Sequence, residues 1–144
     1  MIRPYTDGDV DAVVTIWRSA SELAHPFLSE AFLAAETENV RNVYPQFAEI
    51  WVLENDGQPI GFIAMIDKEV GAIFLAPACH GQGFGRAMMD FAVSRKGAVT
   101  LDVFEANTIG RAFYDRYGFR QTGKYLHEGS GQMTLQMAFT PDAG

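Results

Sequence analysis

The chain's 144 residues suffice for one domain with a sizeable core and are too few for two, and 48% of them are hydrophobic. Eleven basic against 18 acidic side chains leave a formal charge of −7, which argues against the positive footprint that nucleic-acid binding requires. No apolar run approaches the length of a bilayer span, and one cysteine, Cys79, permits no intrachain disulfide and no cysteine metal cluster. A single domain over residues 1–144 is expected, cytoplasmic, with no metal and no membrane partner. Arg3 followed by Asp7, Asp9 and Asp11 does not have the form of a signal peptide.

Residues 2–5 read as a short strand, with Thr6 or Asp7 placed to cap the helix that follows. Val10, Val13, Val14 and Trp17 recur at helical spacing and form an apolar face. His25-Pro26 interrupts that helix, because proline restricts the residue before it. Ser29 caps a second helix, which Phe32, Leu33, Glu36, Val40 and Val43 continue towards Pro45.

From residue 48 the pattern turns to strands. Residues 49–53 are strand-like, Asn55-Asp56-Gly57 is a turn signal, residues 60–66 return, and residues 72–75 form a further strand ending near Pro77. This antiparallel meander leads into a glycine-rich loop. A helix is predicted over 83–95 with Met88, Met89 and Ala92 facing inward, then a strand over 99–103 and a helix over 108–117. Residues 119–124 and 132–139 read as a closing hairpin around Glu128-Gly129-Ser130-Gly131. The fold class is mixed α/β.

The loop His80-Gly81-Gln82-Gly83-Phe84-Gly85-Arg86 carries the most chemistry. Glycines there let the backbone turn tightly and present N–H groups at the positive end of a helix, an arrangement that suits a pyrophosphate. A Walker loop would end in Gly-Lys-Ser/Thr, which is absent, and Gly81, Gly83 and Gly85 do not have the spacing of a dinucleotide fingerprint. An ordinary glycine-rich turn is the alternative. The segment resembles the acyl-CoA loop of the GCN5-related N-acetyltransferase (GNAT) superfamily, Arg/Gln-x-x-Gly-x-Gly/Ala. Gly83 and Gly85 match its small positions, and His80 stands where the family usually has Arg or Gln.

That resemblance implies acetyl-CoA as the acetyl donor and a mixed, largely antiparallel central sheet flanked by helices. It implies cofactor contacts from the backbone N–H groups of Gln82, Gly83, Phe84, Gly85 and Arg86, with the Arg86 side chain near phosphate. Phe74 and Leu75 correspond to the strand that splays from its neighbour and pairs its backbone with the pantetheine arm.

Residues 107–119 resemble the family's second signature, Asn–x–x–Ala–x–x–Phe–Tyr–x–x–x–Gly–Phe, with Gly110 in place of alanine. Asn107 is suited to cap the helix, and the resemblance adds a contact to the cofactor arm. Phe113 is implied to pack beneath the cofactor and Tyr117 to be structural or at the rim. Tyr114 is implied to be catalytic, its hydroxyl near sulfur giving a proton or hydrogen bond as charge develops there.

The same architecture implies an acceptor pocket formed before the meander, with Trp17, His25, Phe27, Leu28 and Phe32 as candidates and Glu105 joining them from the end of a central strand. Glu49, Glu69, Asp102, Glu105 and His25 are candidates for the base that frees the amine, with a water chain as the alternative. His127 in the closing hairpin reads as a solvent-exposed loop histidine, with contact to an acceptor from the opposite wall as the alternative, and Cys79 as a small packed or partly exposed side chain. The expected activity is direct transfer of acetyl to an amine of a small molecule, protein or peptide. The competing readings are a noncatalytic acyl-CoA-binding or regulatory module, and a protein of purely structural interaction. A homodimer through the closing strands is an arrangement the resemblance allows.

Overall fold

Period-two alternation organises the central strands in the computed structural model, which describes residues 1–141. On β5 (Val99–Phe104), Val99, Leu101 and Val103 are buried while Thr100 and Asp102 face out. On β3 (Gln58–Ile66) both faces are covered. Phe62 and Ala64 join a core with α1 (Val10–Ala24) and α2 (Glu30–Asn42), while Ile63 and Met65 join a second core with α4 (Phe84–Lys96). That two-sided burial is why this strand reads as a nearly continuous apolar run.

The remaining strands are β1 (Ile2–Pro4), β2 (Glu49–Asn55), β4 (Glu69–Leu75), β6 (Arg120–His127) and β7 (Gln132–Phe139). They form one seven-stranded sheet in the order β1-β2-β3-β4-β5-β7-β6. Every neighbouring pair is antiparallel except β4–β5, whose parallel crossover is made through α4. The expected mixed sheet flanked by helices is therefore present. None of the described helices is long and apolar enough to cross a membrane.

Several boundaries differ from expectation. The second helix ends at Asn42, and Pro45 belongs to a separate turn, α3 (Tyr44–Phe47), because proline is tolerated in the first turn of a helix but not inside one. β4 begins at Glu69, ahead of the predicted residue 72, since pairing with β3 overrides the charge at Glu69 and the glycine at position 71. β6 starts one residue after Phe119, which is a core residue of the second cluster, and it continues to His127. The last helix, α5 (Thr108–Tyr117), ends at Gly118, whose φ of 116° is one that glycine adopts readily.

The feature that positions the site is a gap. β4 and β5 pair only at Glu69↔Thr100 and Val70↔Leu101, while β4 stays paired with β3 as far as Leu75. The second half of β4 therefore presents one backbone edge to open space between the strands.

The N-terminal end is held by a part-buried ion pair. Arg3 donates through Nη1 and Nη2 to Asp9 at 2.8 and 2.7 Å, and the Thr6 N–H donates to the same carboxylate at 2.8 Å. The Arg3 guanidinium and, secondarily, the Thr6 donors hold the Asp9 carboxyl well below the usual carboxylate range, against the opposing effect of burial. A depressed folded-state pKa contributes stability that is complete above the unfolded value, about 3.9, and is lost as pH falls through the folded value. Asp9→Asn should lower stability by about 1–3 kcal/mol near neutral pH. The gap from wild type should shrink in acid, as urea denaturation at several pH values will show.

Candidate active site

The loop after β4 is shaped by glycine at two positions. Gly81 and Gly83 have φ of 78° and 86°, and a Cβ on either would meet nothing within 4 Å. Both therefore face an open cradle in a backbone conformation that side chains disfavour. Gly85 serves a different purpose, since a Cβ there would lie 3.3 Å from the Phe113 ring. Gly83 caps α4, and the first backbone bond of that helix runs from the Ala87 N–H to the Gly83 carbonyl. The preceding N–H groups, of Phe84, Gly85 and Arg86, point out of the helix start and are free to receive an anion.

His80 Nε2 donates to the Leu75 carbonyl at 3.0 Å, tying the loop to the end of β4 and placing a proton on that nitrogen. The histidine that departs from the family pattern is thus a staple of the loop. The Arg86 guanidinium lies 5.1 Å above the Tyr117 ring. Leu75, His80, Gly83, Gly85, Phe113 and Tyr114 help to line a cleft of about 460 Å³ that runs from this loop to the β4–β5 gap.

A second cleft of about 380 Å³ opens on the other side of the gap. Trp17 and His25 from α1 and its cap, Phe32 from α2, Asp102 and Phe104 from β5, and His127 from β6 contribute to its walls. Ile73, Phe74, Asn107 and Tyr114 border both clefts, so the two meet where β4 and β5 part. Tyr114 is half-buried, and burial raises its phenol above the ordinary tyrosine pKa, so the hydroxyl keeps its proton.

His25 is 9% exposed, and its Nε2 accepts from Asn107 Nδ2 at 3.1 Å. Burial pushes its pKa down to about 4, which keeps the ring neutral. The second cleft also carries three carboxylates, Glu36, Glu69 and Asp102, and no lysine or arginine among its described lining. Tyr44 Oη donates to Glu36 at 3.1 Å, and Tyr125 Oη donates to Asp102 at 2.7 Å. Both phenols are pushed up to about 12, Tyr44 chiefly by burial and Tyr125 chiefly by its carboxylate bond.

Of the residues expected on the acceptor side, Trp17, His25, Leu28 and Phe32 line this cleft. Phe27 does not; it packs edge-on against His25 and Phe104 with ring centroids 5.7 Å away in each case. Glu105 does not either. Its carboxylate pairs with Lys124 at 2.7 Å, and its carbonyl accepts from Arg111, because the chain turns away once β5 ends. Glu49, another candidate base, pairs with Lys96 outside the cleft. Gln82 and Phe84, also expected at the cofactor, are not among the residues that line the first cleft.

Glu36, Tyr44 and Tyr125 are not among the expected residues, and His127 lines this cleft, as the second of its two readings has it. His127 Nδ1 accepts from the Ser130 N–H at 3.1 Å, and its ring meets Phe32 and Phe104 edge-on at 6.2 and 5.8 Å. The alternation of β6 carries a signal, since Tyr125 and His127 are two apart and share one face. No group of three or more described His, Cys, Asp or Glu side chains is placed to hold a metal ion.

A nest of N–H groups at the mouth of one cleft, a split sheet, and a second cleft meeting the first at a protonated tyrosine are the architecture of an acetyltransferase fold. Residues 46–121 match the Acetyltransferase (GNAT) domain, and the chain belongs to that family. It is 33% identical over 124 residues to the peptidyl-lysine N-acetyltransferase YjaB of Salmonella typhimurium, covering 85% of each chain. The solution structure of apo-form YjaB from Escherichia coli matches with a TM-score of 0.88 at 29% identity, over 96% of this chain and 95% of that one. The PaiA N-acetyltransferase of Thermoplasma acidophilum, in complex with coenzyme A, shares the fold with a TM-score of 0.78 at 18% identity over 98% of both chains.

The cradle at Gly83 is directly testable. Gly83→Val places a branched side chain in the open cradle at positive φ and should weaken CoA binding by about tenfold or more while unfolding stays cooperative. Isothermal titration with CoA and a thermal melt measure the two effects separately.

Proposed function

We propose that this chain is an acetyl-CoA-dependent N-acetyltransferase whose acceptor is a cationic primary amine, most directly the lysine side chain of a protein or peptide. The observation that carries this reading is the placement of Tyr114 where the two clefts meet. Acetyl-CoA, when bound, supplies an activated acetyl carbonyl.

The chain's own groups account for the rest. Gly81 and Gly83 leave room for phosphate, and the N–H groups at the start of α4 complement its charge. The free edge of β4 offers backbone partners to the pantetheine amides. Tyr114 Oη holds the proton that a departing thiolate takes up. A phenol pushed above its ordinary pKa is suited to that task, because it does not ionise beforehand.

The acceptor side favours a cation. Three carboxylates, with no lysine or arginine among the cleft's described lining, attract an ammonium ion and accept its hydrogen bonds. His25 is the least suited of the candidate bases, since its Nε2 already accepts from Asn107. Glu69 and Asp102 remain as groups through which a proton can leave the amine, directly or by water. The lysine-directed relative matches along most of both chains, which supports the same acceptor class here.

Mass-resolved transfer from acetyl-CoA to lysine-containing peptides, polyamines and neutral amines tests the reading. Acetylated lysine with stoichiometric CoA release is the expected result. Binding of CoA with no product on any amine would assign the chain to acyl-CoA binding without transfer. Tyr114→Phe should lower kcat by roughly a hundredfold with little change in CoA affinity. Full turnover in that variant removes Tyr114 from the chemistry. Asp102→Asn should raise the KM for a lysine peptide severalfold and reduce its salt dependence, read from initial rates at low and high salt.

A further inference from the structure

Asn107 caps α5 at the junction of the two clefts, so the direction of its side-chain amide bears on the site. Asn107 Oδ1 accepts from the Gly110 N–H at 2.8 Å, which leaves Nδ2 as the end facing His25 Nε2 at 3.1 Å. That direction of donation requires His25 to carry its proton on Nδ1. The bond joins residues 82 apart in sequence and is buried at both ends, with His25 9% and Asn107 8% exposed. The rings of Phe27, Phe74 and Phe104 pack edge-on around the imidazole, the nearest with its centroid 5.2 Å away.

Gly110 is the third member of this arrangement. A Cβ there would fall 2.6 Å from Asn107 Nδ2, so the amide can hold its present position only beside a residue without one. Position 110 is where the signature described above usually has alanine, which would also favour the helix. Glycine here exchanges helix propensity for room in which the amide turns towards α1.

We propose that His25 and Gly110 are positioning residues that act through Asn107, clasping the end of α1, which walls the acceptor cleft, to the start of α5, which carries Tyr114. Tyr114 lies seven residues beyond Asn107, two turns along the same helical face, so displacement of the helix start is passed to its hydroxyl. A reacting group moved by a fraction of an ångström loses rate without losing the fold. Burial of His25 supports the clasp by keeping the ring in its neutral, accepting form.

The test compares His25→Leu, which removes the acceptor, with His25→Gln, which returns a side-chain oxygen near the Nε2 position, and adds Gly110→Ala and the His25→Leu/Gly110→Ala double variant. Turnover of a lysine peptide, CoA affinity and urea unfolding are measured for each. His25→Leu and Gly110→Ala should each lower kcat by about tenfold with CoA affinity within about threefold of wild type. His25→Gln should recover most of the rate. The double variant should be no worse than the worse single one, because both changes remove the same bond. Equal damage from His25→Leu and His25→Gln, or losses that simply multiply in the double variant, overturns the proposal. The kinetic arm rests on the acetyltransferase reading; the unfolding arm does not. If wild type transfers nothing, that reading fails, while coupled unfolding midpoints still uphold the clasp and additive ones overturn it.

Discussion

The site depends on a sheet that stays open between β4 and β5. Two residue pairs join these strands at Glu69 and Val70, and beyond them β4 keeps only its β3 partner. A closed ladder would use up the backbone groups of residues 71–75 on that side and would separate the two clefts. The parting leaves those groups free and brings Phe74, Asn107 and Tyr114 to one place. Two cores, one on each face of the sheet, hold the strands firmly on either side of the gap. The opening is therefore a built feature of a packed structure.

Charge is divided across that opening. On the loop side, the start of α4 and Arg86 supply donors and positive potential near the glycine cradle. On the other side, Glu36, Glu69 and Asp102 supply negative potential, and the two histidines nearby are engaged through their ring nitrogens. The two faces thus present opposite potential on either side of a neutral tyrosine. The overall charge of −7 accords with the acceptor side but says nothing of where the carboxylates gather.

The parts of this site that were legible in the sequence are those written locally. The glycines of the loop, the Asn107-led helix with its Phe113-Tyr114 pair, and the period-two pattern of β5 each lie within one element and its cap. Gly110 was visible as a departure from the signature, but its reason was not, because it depends on where the Asn107 amide turns. The bond between His25 and Asn107 is a product of tertiary packing across 82 residues, and no local pattern encodes it. Glu105 and Asp102 differ by one such contingency. Asp102 lies within β5, where alternation sets its face, whereas Glu105 lies past the strand end and pairs with Lys124. The early start of β4 was hidden by Gly71, a residue that depresses strand propensity in isolation.

On the proposed function, the N–H groups at the start of α4 and the free edge of β4 would together receive the CoA moiety. Titration of uniformly ¹⁵N-labelled protein with CoA, followed by amide chemical shifts, tests it most directly. The largest changes are expected at Gly81, Gly83, Phe84, Gly85 and Arg86, continuing to Ile73 and Leu75, with the β6–β7 hairpin tip little affected. Shifts centred on the acceptor-side carboxylates with the loop unmoved, or no shifts at CoA concentrations that saturate ordinary acetyltransferases, would contradict it.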